Sequence, residues 1–73
     1  MPHVDISMYA GRDDETKKRV AEAVVETMMK ELGCKVEHLS VAIHDVDPAD
    51  WKETIQDKVD VSKVYAGGAF EEK

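Results

Sequence analysis

Few residues in this chain advertise chemistry, so the candidates can be weighed one by one. His3, His38 and His44, with Asp45 beside the last, are the available metal ligands, but no spacing among them matches a zinc site or a facial triad. Cys34 has only Lys35 as a cationic neighbour and no adjacent base, which suits an inert thiol better than a nucleophile. Gly67-Gly68 is followed by no Lys-Ser/Thr helix start, so it reads as a turn and not a phosphate loop. Taken singly, Pro2 is an edge-strand start, Arg12 a solvated cation before a helix, and Trp51 a packing residue under a short helix.

The elements that must position these residues follow from periodicity. From His3 to Tyr9 the chain alternates, Val4, Ile6 and Met8 against His3, Asp5 and Ser7, which is the period of a strand with unlike faces. His3 and His44 are expected near opposite ends of neighbouring strands, as rim residues. After Ala10-Gly11-Arg12, Asp13 reads as an N-cap, with Asp14 and Glu15 in the first turn where the helix dipole favours negative charge. A helix is expected from Asp14 to Leu32. Val20, Val24, Met28 and Leu32 recur every fourth residue, widened by Ala21, Val25 and Met29, a stripe broad enough for a sheet and a partner helix. Lys17, Lys18, Glu22, Glu26 and Lys30 belong to the solvated face, and Gly33 closes the helix.

Leu39, Val41 and Ile43 alternate with Ser40, Ala42 and His44 as a second strand. Strand, helix and strand in this order make a βαβ unit with parallel strands. Asp47-Pro48 then caps a short helix through Trp51 and Ile55, reaching toward Val59. Tyr65 to Phe70 is a turn-rich tail. The fold class is therefore α/β (α+β), and residues 1–73 are expected to form a single domain. Two strands leave two open sheet edges, which invite pairing with another copy.

Composition points the same way. A chain of 73 residues with one cysteine has no intrachain disulfide to staple it, so stability must come from an efficient core or from self-association. With 10 basic and 16 acidic residues the net charge is −6, which argues against nucleic acid and anionic membranes as partners. No apolar run approaches the roughly 18 residues of a membrane span. No basic region precedes an apolar block, and a cytoplasmic location is expected.

Pro2 directly after Met1, Gly11-Arg12 after the first strand, the acid-capped helix, the parallel second strand and the aromatic Trp51 together resemble the 4-oxalocrotonate tautomerase family. The stretches Pro2-His3-Val4-Asp5-Ile6 and Asp47-Pro48-Ala49-Asp50-Trp51 are similar to small bacterial tautomerases active on phenylpyruvate-like enols. The resemblance runs from position 2 to about 59.

The resemblance implies an isomerase whose base is the Pro2 amine after removal of Met1. Arg12 would hold a substrate carboxylate and Trp51 would line the pocket. Ser40 stands where well-known members carry a second arginine, which implies a substrate with one carboxylate and an apolar end. No cofactor is implied. The partners would be a small 2-oxo acid or its enol, and further copies of the chain. These would form a homodimer, or a hexamer built as a trimer of dimers. The length of the segment after Trp51 favours the dimer. Hydration or dehalogenation of unsaturated acids by the same amine stays open, as does a non-catalytic acid-binding or structural oligomer.

The chemistry suits these residue types. A base working near pH 7 needs a pKa near that value, and an apolar pocket and a nearby cation both disfavour a charged amine. While Met1 is attached, the Pro2 nitrogen is a tertiary amide with no proton to exchange. A strand rises about 3.3 Å per residue, so Pro2 and Arg12 of one chain are expected roughly 25–30 Å apart. The expected site is therefore shared between subunits whose first strands pair antiparallel, with Ser40 near Pro2.

Overall fold

A computed structural model describes residues 1–68 and 70. Strand β1 spans His3–Tyr9, helix α1 spans Asp14–Leu32 and strand β2 spans Ser40–Val46. The two strands pair in parallel, His3 opposite Ser40 at one end and Tyr9 opposite Val46 at the other. The βαβ unit expected from periodicity is present.

Local chemistry accounts for the limits of α1. The Thr16 amide donates to Asp13 Oδ1 at 2.8 Å, which satisfies one of the free N–H groups of the first turn. Gly33 takes the left-handed conformation, φ 68°, and its N–H donates to the Met29 carbonyl at 2.9 Å. A side chain at that position would be strained.

Successive strand residues point to opposite faces. One face therefore presents Val4, Ile6 and Met8 beside Val41, Ile43 and Asp45. The other presents His3, Asp5, Ser7 and Tyr9 beside Ser40, Ala42, His44 and Val46. Helix α1 covers the first face, where Lys17 Nζ donates to Asp45 Oδ2 at 2.9 Å. Lys17 is thus not on the solvated side of the helix as its place among charged residues suggests. Its flexible stem runs back to the sheet to reach a carboxylate.

Two further expectations are corrected. Leu39 precedes β2 and ends a short 3-10 turn over Val36–His38. Its N–H donates to the Val36 carbonyl at 3.2 Å. The segment after β2 is not one regular helix. A 3-10 turn over Pro48–Asp50, capped by Asp47, runs into a π-helical turn over Lys52–Gln56. The wide turn closes where the Asp57 N–H donates to the Lys52 carbonyl at 2.8 Å, and the same two residues pair through their side chains at 2.9 Å. Another 3-10 turn, Val61–Lys63, follows. Of the expected tail, Ala69 lies outside the described residues.

The single chain buries little. Among the described residues Val46 is the one buried hydrophobic residue, at 8% exposure, and the apolar stripe of α1 is at best half-buried. The accessible surface is 5983 Å², against roughly 4,500 Å² for a folded monomer of this mass. The radius of gyration is 13.8 Å, against about 11 Å for a compact chain of this length. Among the described residues, no helix is long and apolar enough to cross a membrane.

Candidate active site

The candidate residues collect at the two ends of the sheet. At its N-terminal end the Ser40 N–H donates to the Pro2 carbonyl at 3.3 Å, so the start of β2 is tied to the residue that opens β1. A cavity of about 280 Å³ lies there, lined by Met1, Pro2, His3 and Ser40, with Glu37, His38 and Leu39 from the turn before β2. Parallel pairing accounts for Pro2 and Ser40 being neighbours, since it sets the starts of both strands level.

At the C-terminal end, Trp51 and Tyr9 meet edge to face, ring centroids 5.0 Å apart and planes at 84°. Arg12 Nη1 donates to the Tyr9 carbonyl at 3.2 Å. Trp51 is half-buried and Arg12 exposed. Tyr9, the last residue of β1, is therefore the common neighbour of both. Its side chain shares the helix-free face with His3, Asp5 and Ser7. The fold brings Pro2 together with Ser40, and places Arg12 and Trp51 about Tyr9, the one on its carbonyl and the other on its ring. It separates the two pairs by the seven residues of β1, roughly 23 Å.

Between these ends, the helix-free face carries a chain of polar contacts that periodicity alone does not reveal. His3 Nδ1 and Ser40 Oγ are 2.6 Å apart, and His3 Nε2 lies 3.0 Å from Asp5 Oδ1. His44 Nε2 reaches the same carboxylate oxygen at 3.1 Å. His3 stands at the first register position and His44, opposite Ser7, at the fifth of seven, yet one carboxylate bridges the two rings. Asp5 is opposite Ala42, so His3 is two residues before it on its own strand and His44 is its diagonal neighbour on the other. Imidazole is long enough to close that diagonal. The bonds from His44, and then from His3, hold the Asp5 carboxyl below the ordinary carboxylate range.

Elsewhere the charged contacts are structural. The hydrogen bond to Asp45 is the main cause that raises the Lys17 pKa, and it ties α1 to β2. Cys34 is half-buried, its Sγ 3.8 Å from the Met28 carbonyl, which fits an inert thiol.

Known proteins are similar to this sequence and share this fold. The family model described as "Tautomerase enzyme" matches residues 2–58. Tautomerase PptA of Pectobacterium atrosepticum is 33% identical over 60 residues, 81% of this chain and 79% of that protein. The 2-hydroxymuconate tautomerase of Comamonas testosteroni is 37% identical over 51 residues, 70% of this chain and 81% of that protein. Among solved structures, a 4-oxalocrotonate tautomerase isozyme of Methylibium petroleiphilum superposes with a TM-score of 0.66 at 38% identity. That match covers 68% of this chain and 81% of the other.

Proposed function

The chain belongs to the tautomerase family, and we propose that it interconverts the enol and keto forms of a small 2-oxo acid, with the Pro2 amine as general base once Met1 is removed. The family makes it an isomerase of keto–enol chemistry. The base, the shared site and the substrate are the proposal.

One observation carries the reading: the residues suited to the chemistry are divided between the two ends of a sheet whose edges are both open. Neither pair is a complete site. Pro2 and Ser40 line a cavity without an arginine, and Arg12 and Trp51 both adjoin Tyr9, without a base. If two β1 strands pair antiparallel about a two-fold axis, each Pro2 comes beside Arg12 and Trp51 of the partner subunit. The excess of exposed surface over an ordinary monomer supports such pairing. So does the open groove along α1, about 340 Å³, beside Val20, Val24 and Met28. The complete assembly is then a homodimer or a trimer of such dimers.

In this arrangement Pro2 moves the proton at the carbon beside the carbonyl. The partner's Arg12 holds the substrate carboxylate through charge-assisted hydrogen bonds. The partner's Trp51 covers the apolar end and excludes water. Arginine and indole together disfavour the ammonium form of Pro2, bringing its pKa toward neutrality. Ser40 leaves room, and no second cation, at the far side of the cavity. This favours a monocarboxylate with an apolar end over a diacid.

The test is ultraviolet-monitored ketonisation of phenylenolpyruvate and 2-hydroxymuconate by protein whose intact mass shows Pro2 as the first residue. Turnover of both, faster on phenylenolpyruvate and abolished when Met1 is retained, is expected. Equal activity with Met1 retained would rule out the amine as base. A preference for 2-hydroxymuconate would overturn the substrate assignment.

A further inference from the structure

From the contacts on the helix-free face, we infer that Ser40 is a catalytic residue working on the substrate oxygen, with His3 and Asp5 as the residues that orient it and drain its proton. This deepens the proposed function and rests on it, because a base at carbon accounts for half of a keto–enol exchange only. The other half is the proton on oxygen.

The direction of each hydrogen bond follows from the carboxylate. Ionised Asp5 has no proton to give, so its contacts require donors on His3 Nε2 and His44 Nε2. A neutral His3 imidazole protonated at Nε2 has a bare Nδ1, an acceptor. The 2.6 Å contact between Nδ1 and Ser40 Oγ is then made by the serine proton. Ser40 is held with its hydroxyl proton on His3 and its oxygen lone pairs open to the cavity it shares with Pro2. The remaining titratable side chains around that cavity are Glu37 and His38. Neither of them makes a hydrogen bond to His3 or Ser40 among the described residues.

The step balances. In ketonisation, the carbon–carbon π pair of the enol takes a proton from the Pro2 ammonium and forms the new C–H bond. The enol O–H pair becomes the carbonyl π bond. Its proton passes to Ser40 Oγ as the serine proton passes to His3 Nδ1, and the imidazolium formed is stabilised by Asp5. Return of that proton through water to the Pro2 amine restores the starting state, and nothing is consumed. The reverse direction uses the same groups with roles exchanged.

The contact order serine–histidine–aspartate is also that of acyl-transfer enzymes, so the test must separate the two uses. Protein beginning at Pro2, with Pro2→Ala, Ser40→Ala, His3→Ala and Asp5→Asn variants, is assayed on phenylenolpyruvate, with circular dichroism as the check on folding. Ser40→Ala and His3→Ala are expected to lower kcat about a hundredfold while KM stays within about twofold. Added imidazole is expected to restore part of the His3→Ala loss and none of the Ser40→Ala loss. Nitrogen-15 spectra of the wild type should show His3 protonated at Nε2, and Asp5→Asn should lose that preference.

A folded Ser40→Ala enzyme with wild-type kcat, while Pro2→Ala is inactive, overturns the relay and leaves the Pro2 reading intact. A burst of p-nitrophenol from p-nitrophenyl acetate that survives in Pro2→Ala and vanishes in Ser40→Ala overturns it in favour of acyl transfer. Wild-type protein inactive on phenylenolpyruvate overturns the parent reading and the relay together.

Discussion

Arg12 and Asp13 are adjacent, yet their tests read different things. Among the described residues Arg12 contacts no carboxylate and makes one bond, to the Tyr9 carbonyl, so its charge is available to a ligand. A hydrogen bond to a charged group is worth about 1.5–3 kcal/mol, so Arg12→Ala should raise KM for phenylenolpyruvate about tenfold to a hundredfold. Steady-state kinetics on the variant checks this. Asp13 is bound into the helix start, and the Thr16 hydrogen bonds hold its carboxyl below the ordinary range. A lowered folded-state pKa contributes stability above the unfolded-state value of about 3.9, and that stability is lost as pH falls through the folded-state value. The wild-type urea midpoint should therefore fall more steeply below about pH 4 than that of Asp13→Asn, which keeps a capping oxygen but does not titrate. Urea melts at several pH values give the comparison. Asp5, lowered by His44 and His3, acts in the same direction and remains in both proteins.

Each element carries its own stop and start. Gly33 ends α1 in a left-handed conformation where an added Cβ meets no neighbour, so Gly33→Ala tests backbone strain alone. The expected cost is about 1 kcal/mol, measured by urea unfolding. The β1, α1 and β2 limits were nearly all readable from alternation, the fourfold repeat and the Asp13 and Gly33 caps, because these signals lie within a few residues of what they control. The segment after β2 was less readable. Asp47-Pro48 announces a helical start, but the shift to a π turn rests on the Lys52–Asp57 closure and on Trp51 meeting Tyr9. No periodicity marks either contact.

For the whole molecule, the isolated chain is thin, 36 × 30 × 17 Å, and among the described residues one hydrophobic side chain, Val46, is less than a tenth exposed. Light scattering should return a multiple of 8.2 kDa. Dilution below the dissociation constant should lower activity and helical signal together, as the proposed site shared between subunits requires. A fully active monomer would contradict the shared site. Composition and pattern alone yield the βαβ class and the need for association, since these depend on residue type and on short-range order along the chain, while the proposed set Pro2, Arg12, Ser40 and Trp51 comes from the family resemblance. They do not yield the pairings. His3 with Ser40, Lys17 with Asp45 and Asp5 with His44 join residues 37, 28 and 39 positions apart. Those distances close only when strand register is set, and register is a property of the packed sheet, chosen by which side chains the helix buries.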